Sequence, residues 1–113
     1  MKIAVVMGVA NNRSIAWGIA NKLIDEGYTC VFTYPNDSIK KKITRLSPMA
    51  HVIKCDVSDP MQVRNAFIEI KQHYPNIDYV VHAMSMTVFR ELDGNMKDIS
   101  RINFLYSMVV GCY

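Results

Sequence analysis

The chain is 113 residues long, half of them hydrophobic and a fifth charged, with a formal net charge of +3. These proportions describe a globular chain with one modest core and exclude a disordered or collagen-like one. Its basic residues form no stripe interleaved with exposed aromatics, so no nucleic-acid partner is expected. No apolar stretch reaches the length of a membrane span, so no membrane partner is expected either.

Met1-Lys2 and the apolar run 3–9 faintly imitate a short signal peptide, but Asn11-Asn12-Arg13 continues directly into a helical pattern. The run reads instead as a first strand, Ile3–Met7, buried on both faces and ended by Gly8. Ile15, Ile19 and Leu23 recur every four residues and predict a helix that buries this face. Gly27 stands just past its C-terminus. Thr29–Tyr34 is β-branched and aromatic and predicts the second strand. Pro35-Asn36-Asp37-Ser38 punctuates it, and a polar helix follows over 38–46 with Lys40-Lys41-Lys42 on a solvated face. Residues 51–55 predict a third strand, closed by Asp56. Ser58-Asp59-Pro60 starts a helix, with a cap and then proline in the first helical position. Val63, Phe67 and Ile70 line one face of that helix until Pro75. A fourth strand is predicted over 78–82, and a last helix over 96–113.

The alternation of strand and helix, with no repeat, low-complexity tract or linker, implies one α/β domain over 1–113. Its parallel sheet carries helices on both faces, joined by right-handed crossovers. Cys30, Cys55 and Cys112 have no paired or metal-like spacing. Cys30 and Cys55 sit in apolar runs, so reduced buried thiols and a cytoplasmic location are expected, and no metal site.

In such a sheet ligands sit beyond the carboxyl ends of the strands. Those ends are 8–14, 34–37, 56–57 and 82–87, and all should open onto one crevice. The first end turns through Gly8 straight into a helix N-terminus. Free backbone N–H groups and the positive end of the helix dipole converge there, with Ser14 offering a hydroxyl. A diphosphate-bearing cofactor fits that arrangement, although the full G-x-G-x-x-G fingerprint is missing. The second end sets the cofactor type, through an acid on the ribose or a base on a 2′-phosphate. Tyr34-Pro35-Asn36-Asp37 carries no arginine or lysine before Lys40, which favours NADH over NADPH unless Lys40 or Lys41 reaches in. Asp56 offers an acceptor for an adenine amino group or a cap for the next turn. His82 reads as a packed core histidine rather than a catalyst. From pattern alone both a nicotinamide oxidoreductase and an S-adenosylmethionine methyltransferase survive, the latter weakened because Asp37 is the only acid at the second end.

The run Gly8-Val9-Ala10-Asn11-Asn12-Arg13-Ser14-Ile15-Ala16-Trp17-Gly18-Ile19-Ala20 resembles the variant glycine motif of one family. That family is the bacterial-type enoyl-acyl-carrier-protein reductases, a divergent branch of the short-chain dehydrogenase/reductases. Phe32-Thr33-Tyr34, Cys55-Asp56-Val57 and Ile77-Asp78 leading to Val81-His82-Ala83 follow in matching order. The match is strong to about residue 94 and weak beyond.

The resemblance implies a Rossmann-type doubly wound sheet of strand order 3-2-1-4, its fourth strand left as an open edge. It implies that Gly8, Ser14 and Ile15 line the pyrophosphate of NADH. Asp56 would meet the adenine amino group, the Val57 backbone the adenine ring, and Ala83 and Met84 the nicotinamide ribose. The implied reaction is hydride transfer to the β-carbon of a trans-2-enoyl thioester on acyl carrier protein, followed by protonation of the enolate. A homotetramer is implied for the whole enzyme.

Pro35 and Ser85-Met86-Thr87 depart from the residues usual in the family beside the adenine and the nicotinamide. The family's catalytic tyrosine and lysine, six residues apart, follow a fifth strand, and the chain ends before one. Neither Tyr106 nor Tyr113 is followed by a lysine. The chain is therefore expected to hold the cofactor half of the reductase without its proton donor. A nucleotide-binding fragment without chemistry, or another short-chain reductase, stands as the alternative.

Overall fold

The computed structural model describes residues 2–83. The predicted helix over 96–113 lies outside them, as do Met84, Ser85-Met86-Thr87 and Cys112.

The described chain runs β1 (Ile3–Met7), α1 (Ile15–Asp25), β2 (Thr29–Tyr34), α2 (Asp37–Leu46), β3 (His51–Lys54), α3 (Pro60–His73) and β4 (Tyr79–His82). The strands form one sheet in the order β3-β2-β1-β4, and all three pairings are parallel. This is the predicted order. β1 lies between β2 and β4 and is buried along its whole length, which is why it reads as an unbroken apolar run rather than an alternation.

Alternation along the strands separates two faces. Ala4 and Val6 of β1 and Cys30 and Phe32 of β2 pack with Ala16 and Ala20 of α1 and Ile43 of α2. The other face carries Val5, Val31 and Thr33, and the register places Ile53 of β3 beside Thr33. There α3 packs against β3 and buries Ala66 and Ile70. The sheet is thus wound on both faces, as an α/β sheet of Rossmann type requires.

Each helix is bounded by chemistry legible in its ends. Gly27 takes φ +92, and α1 closes with Tyr28 N donating to Leu23 O at 2.9 Å and Gly27 N to Ile24 O at 3.0 Å. This is the paired C-terminal closure that a left-handed residue allows. α2 starts one residue earlier than predicted because the Asn36 carboxamide accepts from Ile39 N at 3.0 Å. α3 starts at Pro60, with Asp59 Oδ1 accepting from Met61 N at 3.0 Å. Strand β3 ends at Lys54, one residue short of the prediction, yet Cys55 N still donates to Tyr34 O at 2.8 Å.

The predicted buried face of α1 is corrected. Ile15 is 77% exposed and Ile19 37%, whereas Ala16 and Ala20 are fully buried and Leu23 is half-buried. A helix laid across two strands approaches most closely through its smallest residues. Trp17 takes the wider flank, its ring centroid 6.0 Å from that of Phe32.

Strand β4 begins where Asp78 clamps β1 from both sides: Ile3 N donates to Asp78 Oδ2 at 2.7 Å, and Asp78 N donates to Ile3 O at 2.9 Å. Among the described residues β4 pairs only with β1, and Tyr79 and Val80 are 54% and 52% exposed, as an open edge predicts. No described helix is long and apolar enough to cross a membrane.

Candidate functional site

Because the sheet is parallel, the carboxyl ends of β1, β2, β3 and β4 lie along one rim. At the end of β1 the chain passes through Gly8 at φ +110, a conformation that L side chains rarely adopt. Val9 is buried and anchors the turn. Asn11 then organises it. Its Oδ1 accepts from Arg13 N at 2.8 Å, and its carbonyl accepts from Ser14 N at 3.2 Å and from Ser14 Oγ at 2.8 Å.

That last bond decides the electrostatics of the site. Ser14 occupies the N-cap position of α1, but its hydroxyl is turned back to Asn11 and makes no capping bond. The first helical hydrogen bond is Gly18 N to Ser14 O at 3.2 Å. The N–H groups of Ile15, Ala16 and Trp17 therefore have no side-chain acceptor among the described residues, and no acidic residue lies in the first turn. α2 and α3 each satisfy an end donor with their own cap. Among the described residues nothing answers the positive end of α1.

The end of β4 reaches the same place. Ala83 N donates to Met7 O at 3.1 Å, continuing the β1–β4 ladder and setting Ala83 beside Gly8. His82 is exposed, which corrects the expectation of a packed core histidine. It sits in register with Met7.

At the end of β3, the two oxygens of Asp56 are used differently. Oδ1 accepts from Ser58 N at 3.0 Å and from Ser58 Oγ at 2.7 Å, which is the turn-capping role. Oδ2 has no partner among the described residues and is left to accept. Asp56 N in turn donates to Gln62 Oε1 at 2.9 Å, so a residue of α3 fixes the backbone at this strand end. Val57 follows, half-buried. Neighbouring Cys55 is buried. Burial pushes its thiol pKa up, and the carboxylates of Asp56 and Asp59 push the same way, so it is no activated nucleophile.

Thus Gly8, Ser14, Ile15 and Ala83 gather at the end of β1, with Asp56 and Val57 along the same rim at the end of β3. Met84 lies outside the described residues. Asn11 and Gln62 were missed by the sequence reading. Asn11 was legible as an Asn-x-x-Ser turn and Gln62 as the third helical residue after an Asp cap. A groove of about 420 Å³ between β3 and α3, lined by Ile53, Lys54, Ala66, Ile68 and Glu69 among others, contains none of these site residues. Among the described residues no three His, Cys, Asp or Glu side chains gather around a possible metal.

The family profile described as Enoyl-(Acyl carrier protein) reductase matches residues 8–113. The chain belongs to this family. An enoyl-acyl-carrier-protein reductase [NADH] from Enterococcus faecalis is 40% identical over 113 residues, which are 99% of this chain and 45% of that protein. The crystal structure of the reductase from Anaplasma phagocytophilum in complex with NAD matches with a TM-score of 0.90 at 36% identity. It covers 99% of this chain and 44% of that one. The Bacillus cereus reductase with NADP+ and indole naphthyridinone gives a TM-score of 0.91 at 35% identity, over 96% of this chain and 44% of that one. The chain spans less than half the length of these relatives. Within the reductase family its described part is the opening segment of the Rossmann-type sheet, the one that carries the variant glycine turn.

Proposed function

We propose that this chain is the N-terminal part of a single dinucleotide-binding domain and forms the cofactor-holding half of an NADH-dependent enoyl-acyl-carrier-protein reductase. The observation that carries this reading is the uncapped N-terminus of α1 behind Gly8, at the rim where Ala83 meets Met7. In this reading the N–H groups of the first turn of α1 hold the pyrophosphate. Gly8 lets the backbone approach it, and Ser14 and Ile15 line it. The free Oδ2 of Asp56 accepts from the adenine amino group, and the Val57 backbone meets the ring. Ala83 and Met84 lie along the nicotinamide ribose.

When bound, the nicotinamide supplies a hydride. The residues of this chain orient the nucleotide and set its direction across the rim; Tyr34, Pro35 and Asp37 face its adenosine end. The substrate of the whole enzyme is a trans-2-enoyl thioester on acyl carrier protein, and the whole enzyme is a tetramer. A tyrosine hydroxyl and a lysine following a fifth strand stabilise and protonate the enolate. This chain carries no counterpart to that pair after its fourth strand, so by itself it binds nucleotide without turnover.

The test is an NADH titration of the 113-residue chain by nucleotide fluorescence or calorimetry, beside an assay with a crotonyl thioester. Saturable NADH binding without oxidation is expected. A folded chain, verified by circular dichroism, that takes up no NADH overturns the cofactor reading. Crotonyl-dependent oxidation overturns the claim of inactivity.

A further inference from the structure

Among the described residues Asp56 is held at every polar group but one. Its N–H donates to Gln62 Oε1 at 2.9 Å, and its carbonyl accepts from Asp59 N at 3.0 Å. Its Oδ1 accepts from Ser58 N at 3.0 Å and from Ser58 Oγ at 2.7 Å, which leaves Oδ2 alone without a partner. Ser58 and Asp59 belong to the same turn as Asp56, so their bonds shape the turn but travel with it. Gln62 belongs to α3 and ties the turn to a packed element. We infer that Gln62 is a positioning residue that fixes where the Asp56 carboxylate stands, and that it thereby gives the cofactor site its preference for adenine over a base with an oxo group in place of the amino group.

This role rests on the reading of the rim as a dinucleotide site, in which Oδ2 accepts from the adenine amino group. Strand β3 ends at Lys54, and Cys55 N extends its pairing with β2 by one bond, to Tyr34 O at 2.8 Å. Asp56 N comes next and finds its acceptor in α3 rather than in a strand. Gln62, Ala66 and Ile70 recur every four residues along α3, so Gln62 lies on the face that the helix buries through Ala66 and Ile70. That face packs against β3. The amide of Gln62 therefore carries the rigidity of the packed face into the loop. An acceptor held in place before its ligand arrives loses less freedom on binding.

An amide suits both of its neighbours. The Gln62 oxygen meets a donor, Asp56 N, while its Nε2 donates to Asp59 Oδ2 at 3.4 Å, so the two contacts together fix which way the group faces. A glutamate keeps the acceptor for Asp56 N but sets a third carboxylate beside those of Asp56 and Asp59. A leucine keeps helix propensity and removes the acceptor. The base preference itself follows from hydrogen-bond direction, because an ionised carboxylate only accepts. It attracts the amino group of adenine and opposes the oxo group that hypoxanthine carries at the same carbon. Such opposition is sharp only while the carboxylate is kept from turning aside.

Equilibrium titrations of the same chain with NADH and with reduced nicotinamide hypoxanthine dinucleotide read this preference as a ratio, without any turnover. The unaltered chain should bind NADH about tenfold more tightly than the hypoxanthine analogue. Gln62→Leu should weaken NADH by about fivefold and the analogue by less than about twofold, so that the ratio falls below about fourfold. Gln62→Ala should do the same, and it carries the test should the leucine variant fail to fold. Gln62→Glu retains the acceptor and should keep the ratio within about twofold of that of the unaltered chain. A side chain that merely stabilised α3 would, when removed, weaken both dinucleotides together. An unchanged ratio in folded Gln62→Leu or Gln62→Ala, or a ratio lost in Gln62→Glu, therefore overturns the role of Gln62 and leaves the NADH site standing. NADH binding with no preference over the analogue removes the Asp56 contact and this role with it. If neither dinucleotide binds, the rim itself is misread.

Discussion

The N-termini of α1 and α3 are built in opposite ways, although both follow a strand of the same sheet. α3 closes its own end: Pro60 removes one donor, Asp59 satisfies Met61 N, and Gln62 turns back to Asp56 N. α1 does the reverse, because Ser14 spends its hydroxyl on the Asn11 carbonyl and leaves the first-turn N–H groups without a side-chain acceptor among the described residues. A helix end that only needs stability satisfies itself. An uncapped end behind a glycine at φ +110 is the one that the proposed reading gives to the cofactor's pyrophosphate. The contrast separates a helix end that satisfies itself from the one to which the proposed function assigns the cofactor.

The harshest way to break that contrast is Gly8→Val. A β-branched side chain at φ +110 should lower the unfolding free energy by about 2 kcal/mol or more and abolish NADH binding, as urea denaturation and nucleotide titration would report. Unchanged affinity in a folded variant would remove Gly8 from the site.

Cap deletions sharpen the comparison. Asp59→Ala should cost about 1 kcal/mol, since its carboxylate caps α3, and move NADH affinity by less than about twofold, through its 3.4 Å contact with Gln62. Ser14→Ala should cost less than about 0.5 kcal/mol, because the serine caps nothing, and show its effect in nucleotide affinity instead. Equal stability losses at the two positions would erase the distinction.

Gly18 offers a smaller probe of the same helix. A Cβ built there meets nothing within 4 Å, so Gly18→Ala should raise stability by about 0.5–1 kcal/mol through helix propensity alone. If nucleotide lies along this part of α1, the same variant should weaken NADH binding while thermal denaturation shows the gain.

The mildest effect concerns the buried thiols. Burial raises the pKa of Cys30 and Cys55, and for Cys55 the carboxylates of Asp56 and Asp59 add to it. The folded state therefore keeps its thiol protons to higher pH than the unfolded chain. The stability this contributes is fully present below the unfolded thiol pKa of about 8.5 and is lost as pH climbs through the folded values. Denaturant midpoints should fall with rising alkaline pH, and Cys30→Ala with Cys55→Ala should flatten that part of the profile.

Much of the candidate site was legible because its signals are local. Gly8, the Asp59-Pro60 start and the Gly27 stop are statements about one or two backbone angles, which a residue type constrains directly. Asp56 was legible only as a pair of alternatives. The structure shows the turn-capping contact through one oxygen, and among the described residues the other oxygen has no partner. The exposed His82 was misjudged because the end of an apolar strand predicts cover, and cover is supplied by other elements rather than by the strand.

By itself the sequence determined the alternation of strands and helices, the parallel sheet and the turn through Gly8, since spacing and backbone preference are carried by neighbouring residues. Only the tertiary structure decided that Ala16 and Ala20, rather than Ile15 and Ile19, meet the sheet. It also decided that Ser14 turns away from its helix and that Lys40 folds back over Tyr34. Periodicity gives the pitch of a helix but not its phase against a neighbour. A side chain's final partner depends on surfaces that the chain brings together only once it has folded.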